Sequence, residues 1–300
     1  MLVSEYRSGF VALVGRPNVG KSTLLNTLVG EKIAIVTDKP QTTRNRIQGI
    51  YSDDTRQIIF IDTPGIHRPR TRLGSYMVKV AQGALAGVDV VLHVVDGKAP
   101  VGQGDRFIAS YFKDLSTPVL LALNKVDSLD RPRTVLALDQ YSKLADYNEV
   151  VPISALKGDN LSLLVEVIAK YLPAGPQFYP ADMVTDQTQR FAVAELIREQ
   201  VLELTWDEVP HAVGVLIEEM VERKDQGVIY IRATVMVEKP NQKGIIIGQG
   251  GQQLKNIGQR ARVGIEEMLE RRVYLDLWVK VKDAWRDRAR SLQELGYSDQ

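Results

Sequence analysis

Gly15-Arg16-Pro17-Asn18-Val19-Gly20-Lys21-Ser22-Thr23 decides how the first half of this chain folds. It fits the pattern G-x-x-x-x-G-K-[ST]. The residues before it, Phe10-Val11-Ala12-Leu13-Val14, are apolar and β-prone and predict a buried strand. Those after it, Thr23 to Val29, predict a helix stopped by Gly30. Strand, glycine loop and helix together make an anion site. The glycines let the backbone curl so that N–H groups point at phosphate oxygens, and the helix N-terminus adds positive partial charge. In this pattern Lys21 reaches the β- and γ-phosphates and Ser22 offers its hydroxyl to Mg²⁺. The phosphate-binding set is Gly15, Asn18, Val19, Gly20, Lys21, Ser22 and Thr23.

Outward from this loop, strands and helices alternate. Tyr51 and Gln57-Ile58-Ile59-Phe60-Ile61 flank the turn Ser52-Asp53-Asp54-Thr55 as a hairpin. The second strand runs into Asp62-Thr63-Pro64-Gly65, an acidic residue and a glycine turn at a strand end. Further strands are expected at Val88–Asp96, Pro118–Leu123 and Glu149–Ile153. Helices are expected near 74–86, 102–113, 133–145 and 161–171. The alternation implies a mostly parallel α/β sheet covered on both faces, with ligand loops at the carboxyl ends of the strands. His93, inside a strand, reads as a core histidine.

Asn124-Lys125-Val126-Asp127 lies at such a strand end. A carboxylate there can accept from the N1–H and 2-amino group of guanine, which adenine does not offer. An unpaired buried carboxylate costs about 1–3 kcal/mol or more, so guanine is selected. Asn124 is expected to fix the loop and contact the purine edge, and the stem of Lys125 to lie over the base. Ser154-Ala155-Leu156 completes this side, with the Ala155 N–H serving the guanine carbonyl. On the phosphate side, Asp62 is expected to hold Mg²⁺ through water and the Gly65 N–H to sense the γ-phosphate. Thr43, or else Thr42, binds metal and γ-phosphate only while GTP is present, so the loops around Thr43 and Gly65 are ordered by one phosphate group.

The chain has 300 residues, enough for about two domains, with 44% hydrophobic and 25% charged residues and a net charge of +1. The absence of cysteine excludes disulfides and thiolate metal sites. The first residues, Met1 to Arg7, predict no signal peptide, and no apolar run approaches the ~18 residues of a membrane span. The small net charge hides an asymmetry. From Lys239 to Arg290 there are twelve Lys and Arg against six Asp and Glu, a surplus of +6 that leaves −5 for the rest. A solvated helix face accounts for such a surplus as well as an anionic partner does.

Leu172-Pro173-Ala174-Gly175-Pro176-Gln177-Phe178-Tyr179-Pro180 marks an interdomain break. Beyond it the order changes to approximately α-β-β-α-α-β: a helix at 191–204, strands at 211–218 and 228–237 around Lys224-Asp225-Gln226-Gly227, a helix at 252–269 and a strand at 273–281. The expected organisation is a nucleotide domain at 1–173, a linker at 174–189 and a second domain at 190–300. Gly248-Gln249-Gly250-Gly251 precedes the last helix and matches the G-x-x-G loop that clamps about four nucleotides of RNA backbone. Lys243, Lys255 and Arg260 could add positive charge.

The nucleotide motifs resemble the TrmE–Era–EngA-like group of P-loop GTPases. With the G-x-x-G domain, read as a type II KH fold, nearly the whole chain resembles the Era family of bacterial GTPases. Pro40-Gln41-Thr42-Thr43-Arg44, Asp62-Thr63-Pro64-Gly65-Ile66-His67 and the tail Val279-Lys280-Val281-Lys282-Asp283-Ala284-Trp285-Arg286 with Leu295-Gly296-Tyr297 carry that likeness. The resemblance implies an α/β GTPase domain followed by an α+β type II KH domain. It also implies GTP hydrolysis with catalytic roles for Lys21, Thr43, Asp62, Gly65 and Asn18, metal placement by Ser22, Thr43 and Asp62, and K⁺ binding aided by Asn18. The implied partners are the 3′ end of 16S rRNA and the 30S subunit, with action in small-subunit assembly. A cytoplasmic monomer with peripheral inner-membrane association is implied as well. Ile66 departs from the Ras pattern, which carries a water-orienting glutamine there. Two other readings stand beside this one: a constitutive RNA-binding assembly factor with a structural nucleotide domain, and a tRNA-modifying GTPase. The missing cysteine disfavours the second.

Overall fold

The computed structural model describes residues 5–39, 41–66, 69–223 and 227–297. The features expected at Met1 to Ser4, Pro40, His67 and Lys224-Asp225-Gln226 lie outside them. The chain divides into two compact units, each with its own sheet.

The first unit comprises residues 1–34, 43–68 and 77–186. Its strands are β1 (Arg7–Val14), β2 (Ile47–Ser52), β3 (Arg56–Asp62), β4 (Val90–Asp96), β5 (Val119–Asn124) and β6 (Glu149–Pro152). Their order is β2-β3-β1-β4-β5-β6. All neighbours are parallel except the β2–β3 hairpin. The apolar runs of β1, β4 and β5 are almost wholly buried, as strands covered on both faces must be. Helices α1 (Lys21–Val29), α2 (Arg72–Gly83), α3 (Gln103–Ser110), α4 (Arg131–Ser142) and α5 (Leu161–Tyr171) fall close to the expected ranges.

The proline-rich break does not hang free. Gly175 N–H donates to Tyr6 O, Ser8 Oγ to Pro176 O, and Gln57 Oε1 accepts from the N–H groups of Phe178 and Tyr179. Further on, Ile50 N–H donates to Val184 O and Gln48 Nε2 to Asp186 Oδ2. The expected linker is therefore largely a strap of the first unit, which ends near Asp186 rather than 173. Proline removes N–H donors, but the carbonyls remain, and they satisfy polar groups along β1, β2 and β3.

The second unit holds residues 35–42, 69–76 and 187–300. It contains α6 (Gln189–Glu203), α7 (Val209–Ala212), β7 (Gly214–Arg223), β8 (Val228–Val237), α8 (Pro240–Ile247), α9 (Gln252–Leu269), β9 (Val273–Val281) and α10 (Ala289–Glu294). β7 and β8 pair antiparallel, β8 and β9 parallel. The α-β-β-α-α-β order is present. His211 and Ala212, expected in a strand, belong to α7, where Pro210 suits a first helical turn because its missing N–H has no partner there. Inward residues of the strands meet Val193, Ile197 and Val201 of α6 and Ile257, Ala261 and Ile265 of α9 in one core.

Two short segments far from the C-terminus in sequence belong to this unit. Arg198 of α6, 1% exposed, donates to Thr42 O and pairs with Glu195. Glu199 accepts from Val36 N–H at 3.1 Å, and Asp287 from Arg72 N–H at 2.8 Å. The segment that leads into Thr43 is thus gripped by α6.

A nucleotide site and a glycine-loop groove

In the first unit, β1 delivers the chain into the glycine loop and α1 carries it away. Gly20 sits at φ +102° and caps α1 without a side-chain bond, so the helix-terminal N–H groups stay available to an anion. A Cβ on Gly20 would lie 2.3 Å from Asn124 Nδ2, so only glycine lets the loop pass this close to β5. Asn18 also has positive φ, at +64°.

Beneath the loop Lys21 and Asp62 are 6% and 0% exposed. Lys21 Nζ donates to the carbonyls of Arg16 and Gly15 at 3.2 and 3.5 Å. Ser22 Oγ donates to Asp62 Oδ2 at 2.6 Å, and Thr43 Oγ1 lies 3.3 Å from the same oxygen and 3.0 Å from Ser22 Oγ. Burial pulls the Lys21 ammonium below its usual range, against the attraction of Asp62. Burial likewise pushes the Asp62 carboxyl up, against Lys21 and the two hydroxyls. Asp62 Oδ1 is buried without a hydrogen-bond partner among the described residues. Two hydroxyls and one carboxylate, whose Oδ1 is left unsatisfied, fit Mg²⁺, which takes oxygen ligands and keeps its remaining positions for water and phosphate. Thr42 does not join them: its hydroxyl donates to Lys39 O at 2.7 Å and meets Thr37 Oγ1. Ile66 is 2% exposed, packs in the apolar core and donates its N–H to Gly15 O at 3.4 Å, which places the chain after Gly65 beside the glycine loop.

The base side is pre-tied to the phosphate side. Asn124 Nδ2 donates to Val19 O at 2.8 Å while its Oδ1 accepts the Ala155 N–H at 2.9 Å. The Ala155 donor, expected to serve guanine, is thus already engaged, and Asn124 is a clip across three loops. Lys125, at φ +67°, sends Nζ to Asn18 O at 2.8 Å and to Asp96 Oδ2 at 2.6 Å. Its stem therefore runs from the β5 end to the glycine loop. Asp127 is exposed, and Ser154 Oγ and Ser128 Oγ donate to its two oxygens. The Ser154 bond holds its carboxyl below the usual range, so it is ionised and ready to accept. Leu156 is exposed. Thr27 Oγ1 donates to Ala155 O at 2.8 Å. Asp96 and Thr27 were missed by sequence reasoning, although Asp96 ends β4 as Asp62 ends β3, and that position was a usable signal. His93 is fully buried with Nδ1 2.7 Å from Tyr147 OH, and burial holds its pKa down at about 3, so it is a neutral core residue.

In the second unit the glycine loop joins α8 to α9. Gly248, Gly250 and Gly251 all have positive φ, at +71°, +57° and +79°. A Cβ on Gly248 would lie 2.6 Å from Gln253 Cβ. Beside the loop, α9 and β9 border an open groove of about 430 Å³ lined by Gly251, Leu254, Lys255, Gly258, Arg262 and Tyr274 among others. Lys255, Gly258 and Arg262 recur at helical spacing on one face of α9. Arg260, expected to contribute, is exposed but does not line this groove, because it lies on another face of the helix. Arg262 and Tyr274 were missed. The spacing from Lys255 could have found the first; only the strand pairing finds the second.

A phosphate loop, a hydroxyl–carboxylate metal site and a guanine-type acceptor on a mostly parallel sheet define a P-loop GTPase, here followed by a KH domain. A family model described as 50S ribosome-binding GTPase matches residues 10–125, and a KH domain model matches residues 208–286. GTPase Era of Alkaliphilus metalliredigens (strain QYMF) is 49% identical over 293 residues, covering 98% of this chain and 99% of that protein. The crystal structure of a point variant of Aquifex aeolicus Era bound to GDP·AlF4⁻ is similar with a TM-score of 0.94 and 42% identity, over 98% of this chain and 100% of that one. A crystal structure of Era in complex with MgGDPNP and nucleotides 1506–1542 of 16S ribosomal RNA matches with the same TM-score, identity and coverage. The chain belongs to the Era family and is a GTPase. Among the described residues no helix is long and apolar enough to cross a membrane.

Proposed function

We propose that this GTPase is a switch that binds 16S rRNA near its 3′ end and acts in 30S subunit assembly. The observation that carries the reading is the pairing, in one chain, of a pre-tied nucleotide site with a glycine-loop groove, in a protein similar over 98% of its length to Era solved in complex with MgGDPNP and nucleotides 1506–1542 of 16S ribosomal RNA. Hydrolysis is positioning plus charge neutralisation, with water attacking the γ-phosphate and no covalent intermediate. Lys21, whose ammonium here meets the carbonyls of Gly15 and Arg16, donates to the β- and γ-phosphates. Bound Mg²⁺, held by Ser22, Thr43 and Asp62, adds positive charge at the phosphates. The Gly65 N–H senses the γ-phosphate, and Asp127 selects guanine. Buried Ile66 cannot orient water, so turnover is slow until a ribosomal partner assists. Asn18 helps hold K⁺ near the leaving phosphates; equal rates in K⁺ and Na⁺ at matched ionic strength would rule that role out.

The G-x-x-G loop, with Lys255 and Arg262 on the groove face of α9, holds the RNA backbone. The GTP form orders the loops around Thr43 and Gly65 and makes the groove available to RNA. The test is affinity for single-stranded RNA from the 16S 3′ end with GDP, with a non-hydrolysable GTP analogue and with no nucleotide, at fixed salt. Tighter binding with the analogue is expected. Equal affinity in all three would leave an RNA clamp beside an independent GTPase, and no binding in any would remove the RNA role.

A further inference from the structure

The three strands of the second unit carry a column of stacked side chains on the face turned away from the core. In β8, Ile231, Ala233, Val235 and Val237 enter the core, and in β9 so do Val273 and Val279. Strand alternation therefore turns Tyr230 and Tyr274 outward. They are register partners across the parallel β8–β9 pair. Their rings stack, with centroids 5.9 Å apart and an interplanar angle of 16°. On the far side of Tyr230, the Arg223 guanidinium of β7 sits 4.2 Å from the ring centroid. Tyr230 OH donates to Asp276 Oδ2 at 3.1 Å, which fixes its rotation.

The column thus runs Arg223, Tyr230, Tyr274 and ends at the edge strand. Tyr274 is 62% exposed and is also one of the residues that line the groove beside the glycine loop. A large aromatic left open at the end of a cation–π-backed stack is unusual for a solvated sheet face. Its rotamer is held by its neighbours, so a further planar group can add to the stack at low entropic cost.

We propose that Tyr274 is a base-stacking subsite: a nucleobase of single-stranded RNA, next to the nucleotides clamped by the glycine loop, stacks on its open face. This rests on the RNA-binding reading of the groove and extends it. A G-x-x-G loop clamps about four nucleotides, whereas the RNA in the Era complex spans nucleotides 1506–1542, so bases beyond the clamp need a place. The outward face also carries compensated charge, with Arg232 paired to Glu218 and Glu219 and Lys280 to Glu218. Such a face favours a ring over a phosphate. A sequence-tolerant stack of this kind contributes without counterion release, unlike the contacts of Lys255.

The experiment uses the full chain and a 16S RNA spanning nucleotides 1506–1542 with 2-aminopurine placed at one adenine at a time. Wild type is expected to quench the fluorophore at one position near the clamp. Tyr274→Ala is expected to lose that quench and to bind about tenfold more weakly, with the salt dependence of binding unchanged. Tyr274→Phe should keep both quench and affinity, and Tyr230→Ala, which removes the backing ring, should lose part of each. Because Tyr274 is exposed and half-buried Tyr230 faces away from the core, these variants leave the core intact, as unchanged circular dichroism would show. Wild-type affinity and quench in Tyr274→Ala would overturn the subsite while leaving RNA binding in place. Equal losses in Tyr274→Phe and Tyr274→Ala would point to the hydroxyl rather than the ring and would also overturn it. Failure of wild type to bind the RNA would overturn the groove reading, and the subsite with it.

Discussion

Lys21 and Asp62 are almost fully removed from water, whereas Lys255 and Arg262 of the groove proposed for RNA stand exposed. The two sites solve different problems. A nucleotide triphosphate with its metal is compact and highly charged, so its site can be closed and wired in advance: Asn124 clips Val19 to Ala155, and Lys125 ties Asn18 to Asp96. Donors held in a water-poor place are worth more than the same donors in solvent. A flexible polyanion cannot be enclosed in that way. Its groove stays open, uses glycines for close approach of the backbone, and relies on screened surface charge. Loss of one group should therefore be far more damaging in the first site than in the second.

The largest expected effect follows from that contrast. Lys21→Ala should lower GTP hydrolysis about 10³-fold, because one preorganised donor at developing phosphate charge is removed. Its nucleotide-free affinity for single-stranded RNA should be unchanged. A parallel loss of RNA binding would show that the two sites share one structure and would break the contrast. Next in size, Gly248→Ala puts a side chain at φ +71° and against Gln253, and should weaken RNA binding roughly tenfold or more through local distortion of the loop. Hydrolysis without RNA should stay at the wild-type rate; a fall in that rate would tie the loop to the nucleotide site. The Tyr274 stack comes last, at about tenfold, and sharpens the contrast by separating ring contacts from charge contacts within the open groove.

Much of this was legible in the sequence because the motifs are local. A phosphate loop needs glycine at fixed offsets and a lysine at the helix start, so Gly15 to Ser22 could be read without any partner strand. Continuous apolar runs located the strands of the first sheet for a similar reason: a doubly buried strand must be apolar throughout. Other features have no local signature. The strap after Leu172 looks like a linker because proline and glycine break helices, and only its hydrogen bonds to Tyr6, Ser8 and Gln57 reveal otherwise. Arg262 rather than Arg260 lines the groove because helix phase, not proximity to the glycine loop, decides the face.

By itself, then, the sequence determined the chemistry on offer: a phosphate cradle, a carboxylate that can select guanine, a hydroxyl–carboxylate set for Mg²⁺ and a glycine loop before a helix. Tertiary structure alone decided which of those groups meet. It chose Thr43 over Thr42, engaged the Ala155 N–H with Asn124, put Asp96 under Lys125 and stacked Arg223, Tyr230 and Tyr274 across three strands. The reason is physical. A residue's type fixes its donors, acceptors and rings, but a hydrogen bond or a stack requires approach within a few ångströms, and residues tens of positions apart reach that distance only when strand pairing and core packing bring them there.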